Sequence, residues 1–206
     1  MKKTPEGYEN FYHLNISEPI KKKLYHQWRI SELIPKLRKI SQPIISIIQG
    51  AAVGGGLGLI MASDIRLASE EAKFINASIN IGLTGGDMGS SYFLPRLIGM
   101  SRAAELLYTG KAMDAKTAEK VGFISKLVKK EELLDKALEL ASEMLKKSPL
   151  GLRLTKESIN LSLDSPSLNS IIQFENSSIV LAFSSKDINE ASSAFFTKKE
   201  PKYPLK

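Results

Sequence analysis

Cysteine is absent from the 206-residue chain, so neither a disulfide nor a thiolate nucleophile is available to it. Histidine is scarce as well. His13 and His26 are the only two, and alone they cannot build an ordinary histidine-based metal centre, so no metal is expected. No uninterrupted apolar run comes near the ~20 residues needed to cross a bilayer. The lysine-rich start, Met1-Lys2-Lys3, lacks the apolar stretch of a secretory signal. These absences point to a soluble protein of the cytoplasm with no membrane partner. Aromatic side chains make up only 7% of the chain and are not interleaved with the paired, scattered lysines, so a nucleic-acid partner is not expected either.

What the chain does have is 43% hydrophobic residues, enough to bury one core with a smaller appended module. Its most informative stretch is Gly54-Gly55-Gly56, which follows a β-branched apolar run at residues 43–48 and opens an apolar helix. The run is short and apolar on both faces, so it reads as a fully buried strand. Without a Cβ, successive N–H groups in the turn can face a ligand, and the helix N-terminus favours negative charge there. A phosphate loop would need Gly-Lys-Ser/Thr, but Leu57, Gly58 and Leu59 follow Gly56. The dinucleotide pattern fails because its third glycine slot falls on Leu59 or on Met61. A pair of backbone donors aimed at a developing carbonyl oxyanion survives. The competing reading is that the glycines only allow tight packing of helix on sheet.

Around this turn the chain divides into segments. Residues 1–17 are polar, with Pro5 and Gly7, and read as a mobile loop. Residues 18–40 read as a helical segment that Pro35 should kink or split. Short strands are expected at residues 64–68 and 73–76, a helix from an N-cap at Ser101 to a stop at Gly110, and another capped by Asp114. A strand should follow at residues 123–128. From residue 130 the apolar spacing becomes helical, with a stop at Ser148-Pro149 and further helices at 150–163, 167–183 and 187–196. The domain boundary is therefore placed between 1–128 and 129–206.

From Gln42 to Val128 the chain resembles the crotonase family of enoyl-CoA hydratases and isomerases. The motifs that carry the resemblance are Gln42-Pro43-Ile44-Ile45-Ser46-Ile47-Ile48-Gln49-Gly50-Ala51-Ala52-Val53-Gly54-Gly55-Gly56, Ala62-Ser63-Asp64-Ile65-Arg66-Leu67-Ala68, Leu94-Pro95-Arg96-Leu97-Ile98-Gly99, and Ala118-Glu119-Lys120-Val121-Gly122-Phe123-Ile124. Glu190-Ala191 through Phe195-Phe196 is similar to the family's C-terminal end. The resemblance implies an α/β crotonase-like fold, a spiral of ββα units with a C-terminal helical trimerisation module, assembled as a homotrimer or hexamer. It implies an acyl-CoA thioester as substrate, no separate cofactor, and a thioester enolate stabilised by the N–H of Gly55. The net charge of +7 suits the polyanionic coenzyme.

By position, the resemblance puts Gly54, Gly56 and Gly86 against the substrate, and Phe196 and Lys199 near the nucleotide end of coenzyme A. The residue 18–40 helix corresponds to one bordering the acyl pocket, so Trp28 is a candidate contact there, with helix packing as its alternative role. The two glutamates with which hydratases of the family position water fall on Gly58 and Ser78. Asp87, in Thr84-Gly85-Gly86-Asp87-Met88-Gly89, is the candidate acid/base instead; the alternative is that it merely caps the following helix. The family's other oxyanion donor belongs to a segment upstream of Met1, so the fold is expected to be incomplete at the N-terminus. Hydration, isomerisation and a catalytically impaired acyl-CoA-binding homologue all remain open.

Overall fold

Pro35 does split the first helical segment, but not at the proline. The computed structural model describes residues 5–165 and 167–203; Met1, Lys2 and Lys3 lie outside these. In it, α1 (Glu18–Ser31) and α2 (Leu33–Arg38) meet at Glu32, and Pro35 sits in the first turn of α2. An N–H at that place has no intrahelical acceptor anyway, so the ring costs little. The segment before α1 is better ordered than its composition suggests. A single 3-10 turn at Tyr8–Phe11 buries Tyr8, whose ring meets Phe11, Tyr12 and Tyr25. The Tyr8 hydroxyl donates to Glu18 at 2.5 Å, and the Tyr25 hydroxyl to the Glu6 carbonyl at 3.0 Å.

The chain then alternates between two sheets. β1 (Ile45–Ile48) enters the first and β2 (Ala51–Val53) the second, and α3 (Gly55–Ala62) follows. β3 (Ile65–Ala68) returns to the first sheet parallel to β1, and β4 (Lys73–Ile75) to the second parallel to β2. After α4 (Ser90–Ile98) and α5 (Met100–Thr109), β5 (Ala112–Asp114) pairs antiparallel with β4. α6 (Ala115–Lys120) then leads to β6 (Lys126–Leu127), parallel to β3. Each ββα unit thus adds one strand to each layer, the spiral that the resemblance implies.

Several local expectations change. β1 is not buried on both faces: only Ile48 is buried and Ile47 is 43% exposed, because among the described residues β1 has a neighbouring strand on one side only. The strand expected at residues 123–128 shrinks to β6, and Phe123 instead packs edge-on against Phe74 at 4.9 Å in the core. α5 begins at Met100 rather than at a Ser101 cap, since Gly99 makes the turn with φ +82°. The Asp114 cap is as expected, its carboxylate accepting the Thr117 N–H at 2.7 Å.

The main core lies between the two sheets, α3 and α4, with Met61, Ala62, Ala68, Phe74, Leu94 and Phe123 at its centre. α7 (Leu133–Leu145) covers the first sheet through Leu133 and Ala137 against Leu67 and Val128. α8 (Pro149–Asp164) is tied to the core by buried charge. Asp64 accepts from Arg38 at 2.9 Å and Lys156 at 2.8 Å, and Lys156 also donates to the Gln42 carbonyl. Asn160 pairs with Arg38 in both directions. α9 (Leu168–Phe183) and α10 (Asp187–Thr197) bury far less, and Val180, Leu181, Phe183, Phe195 and Phe196 are exposed. Among the described residues, no helix is long and apolar enough to cross a membrane, and no group of three acidic or histidine side chains could hold a metal ion.

Candidate active site

The glycine turn works as a hinge between strand and helix. The Gly54 N–H still bonds the Ile75 carbonyl at 3.2 Å, continuing the β2–β4 ladder. Its φ of +51° and ψ of −117°, open only to glycine without large strain, then turn the backbone into α3. The first turn of α3 closes with the Gly58 N–H on the Gly54 carbonyl at 3.0 Å. The N–H groups of Gly55, Gly56 and Leu57 have no hydrogen-bond partner among the described residues, as expected for a helix start. At the other end of α3, Arg66 donates to the Ser63 carbonyl at 2.8 Å and Arg38 to the Ala62 carbonyl at 3.2 Å. Burial pushes the Arg66 guanidinium down to about 10, so it stays charged at neutral pH. Cations at the negative end and free N–H groups at the positive end match the helix dipole.

The Asp87 loop is pinned from three sides. The Gly85 carbonyl accepts from Asn76 Nδ2 at 2.8 Å and Ser90 Oγ at 2.7 Å, and both side chains are buried. Ser90 Oγ accepts the Asp87 N–H at 3.1 Å. Gly85 itself lies so close to α5 that a Cβ there would be 2.4 Å from the Leu107 carbonyl oxygen. Met88 and Gly89 then both take positive φ, +48° and +78°. For Met88 this is a strained conformation, held because its side chain is buried, 5% exposed, against α3.

Asp87 does not cap α4. No side chain does, and the Asp87 carboxylate faces away, its Oδ1 accepting from Gln27 Nε2 of α1 at 2.6 Å. Through Met88 the loop meets the turn, since a Cβ built on Gly55 would lie 3.9 Å from Met88 Cε. Gly54, Gly55, Gly56, Gly86 and Asp87 therefore come from two segments that pack on each other. The same contact explains Gly58. A Cβ there would fall 2.5 Å from Met88 Cβ and 2.9 Å from its carbonyl oxygen, so the space is taken and no carboxylate can stand there. Ser78 opens a 3-10 turn, Ser78–Ile81, and its carbonyl holds the Leu83 N–H at 3.0 Å.

The other candidates are placed differently. The Trp28 ring is turned to the N-terminal segment, packing on Phe11 at 5.7 Å and Tyr25 at 6.2 Å and filling the space beside Gly7. Phe196, near the end of α10, is 82% exposed, and Lys199 beyond it is exposed with its N–H on the Ala194 carbonyl. No described hydrogen bond joins either to the turn or the loop. A cavity of about 740 Å³ lies between α2, α4 and α8, walled by Ile34, Arg38, Tyr92, Phe93, Lys156 and Asn160 among others; it touches the loop at Gly89 alone and does not reach Asp87 or the glycine turn. Sequence reasoning missed Gln27 and Met88, whose partners lie far along the chain and leave no local pattern.

The family model for enoyl-CoA hydratase/isomerase matches residues 13–205. A probable enoyl-CoA hydratase of Mycobacterium tuberculosis is 44% identical over 146 residues, covering 71% of this chain and 51% of that protein. The short-chain-enoyl-CoA hydratase of Clostridium acetobutylicum is 31% identical, covering 82% and 64%. Among solved structures, a probable enoyl-CoA hydratase/isomerase from Mycobacterium abscessus superposes with a TM-score of 0.85 at 37% identity, covering 91% of this chain and 72% of the other. An enoyl-CoA hydratase from Bacillus anthracis gives 0.82 at 30% identity, covering 92% and 72%. The chain spans about half the length of the mycobacterial relative. With the family model matching nearly all of this chain and a solved family member superposing on 91% of it, the chain belongs to the enoyl-CoA hydratase/isomerase family of crotonase-like proteins.

Proposed function

We propose that the protein acts on acyl-CoA thioesters, stabilising a thioester enolate at the N–H of Gly55 and moving a proton with Asp87. The observation that carries this reading is the packing of the Asp87 loop on the glycine turn, which leaves the carboxylate free of helix capping. The Asp87 carboxylate takes a proton from carbon next to the enoyl system, the freed electron pair moves into the thioester carbonyl, and the proton returns at another carbon. A backbone donor at the oxyanion is worth on the order of a hundredfold in rate. The filled space at Gly58 and the serine at position 78 favour this one-carboxylate shuttle, an isomerisation, over water addition by a carboxylate pair.

The exposed apolar side chains of α9 and α10 support assembly as a homotrimer or hexamer, in which Phe196 and Lys199 could meet the nucleotide end of coenzyme A. Cytoplasmic fatty acid metabolism is the setting that fits, with neither nucleic acid nor membrane as partner. A second reading, an acyl-CoA binder with impaired catalysis, is favoured by those same replacements at Gly58 and Ser78. The conjugated enoyl-thioester absorbance, lost from crotonyl-CoA on hydration and gained from its unconjugated 3-enoyl isomer on isomerisation, followed by product chromatography, separates the readings. Turnover that disappears in Asp87→Asn supports the enzyme, and turnover kept within a few-fold rejects the role of Asp87. A folded protein that binds acyl-CoA without turnover supports the binder.

A further inference from the structure

The geometry points to Gln27 as the positioning residue for Asp87, an inference that rests on the proton-shuttle reading above. A carboxylate can only accept, so the Gln27 side-chain amide must present its NH2 group, and the 2.6 Å contact is a charge-assisted hydrogen bond. It commits Oδ1. The Asp87 backbone is already fixed by Ser90 and Gly85, so this bond also sets the remaining freedom, the rotation of the carboxyl group. Oδ2 is left as the oxygen that exchanges a proton with substrate.

Gln27 is exposed on α1, and its bond to Asp87 sets it apart from the other polar side chains of that helix. Among the described residues, α1 makes no other side-chain hydrogen bond to any residue after α2; its remaining bonds, through Glu18, Tyr25, Arg29 and Ser31, stay within α1 and the N-terminal segment. That segment in turn stiffens α1 through the cluster of Tyr8, Phe11, Tyr25 and Trp28. The aromatic cluster thus holds the helix, and the helix delivers one donor to the candidate base.

Two measurements on the full chain test this. The first is the amide NH2 resonance of Gln27, which should move in Asp87→Asn; an unmoved resonance overturns the contact whatever the activity. The second is hydrogen–deuterium exchange at the α and γ carbons of the enoyl thioester in Gln27→Met, which keeps side-chain length and removes the donor. The kcat for exchange should fall about tenfold while KM stays within about twofold. Gln27→Glu, which sets an anion against Asp87, should fall further. A kcat within about twofold of wild type in Gln27→Met, or a parallel change in kcat, KM and melting temperature, overturns the positioning role alone. Equal exchange by wild type and Asp87→Asn, or none by either, overturns the proton-shuttle reading and the role of Gln27 with it, leaving the contact itself to the resonance.

Discussion

Replacing Gly58 by alanine should destabilise the protein, although the same change in most exposed helices stabilises. The added methyl carbon would stand 2.5 Å from Met88 Cβ, 2.9 Å from the Met88 carbonyl oxygen and 3.4 Å from Ile34 Cδ1. Carbon atoms in good contact sit about 3.5–4.0 Å apart, so something must move by roughly 1 Å. Neither side yields easily. α3 is anchored by the ladder bond of Gly54 and by Arg38 and Arg66 at its C-terminus, and the loop is pinned at Gly85 by Asn76 and Ser90. Overpacking costs about 1–3 kcal/mol, and because the clash is with the Met88 Cβ and backbone oxygen the upper part of that range, about 2–3 kcal/mol, applies, against a helix-propensity gain of about 1 kcal/mol for leaving glycine. The net loss is about 1–2 kcal/mol, or about 2–8 °C in melting temperature for a chain of this size. Thermal unfolding followed by circular dichroism reads it directly. Removing the opposing Cβ with Met88→Gly should recover about 1 kcal/mol in a double-mutant cycle. An alanine variant as stable as wild type, or more stable, would refute the claim that Met88 fills the space at position 58.

Asp64→Ala should cost roughly 3–5 kcal/mol, because Lys156 is left charged and 5% exposed with its carboxylate gone. Urea unfolding and limited proteolysis near α8 check this, and a loss below about 1 kcal/mol would mean that solvent already compensates the lysine. The Glu18 carboxylate accepting its O–H, with burial adding, pushes the Tyr8 hydroxyl up from 10.0 to about 12. A raised folded-state value means that this contribution to holding the N-terminal segment on α1 is complete below pH 10 and fades as pH rises toward 12. The single tryptophan, Trp28, packed in that cluster, should report the change by fluorescence. In Tyr8→Phe the pH dependence over that window should vanish; its persistence would assign it to another group.

Local chemistry made much of this protein legible before any tertiary contact was known. The cap at Asp114, the stops at Gly110 and at Ser148-Pro149, the helical spacing of α7 and the three-glycine turn are decided within a few residues of chain, where backbone sterics and the nearest N–H groups rule. The fold class followed because motifs along the chain resemble those of the crotonase family, which implies the spiral of ββα units. Tertiary structure alone decided which face of β1 is covered, that Asp87 answers to Gln27 rather than to its own helix, and that Met88 occupies the space beside Gly58. It alone joined the half-buried Arg38 and Asp64 and the buried Lys156 into one charge group. These pairings lie far apart along the chain, and a side chain's preference for a distant partner depends on shape and desolvation that exist only after the chain has packed.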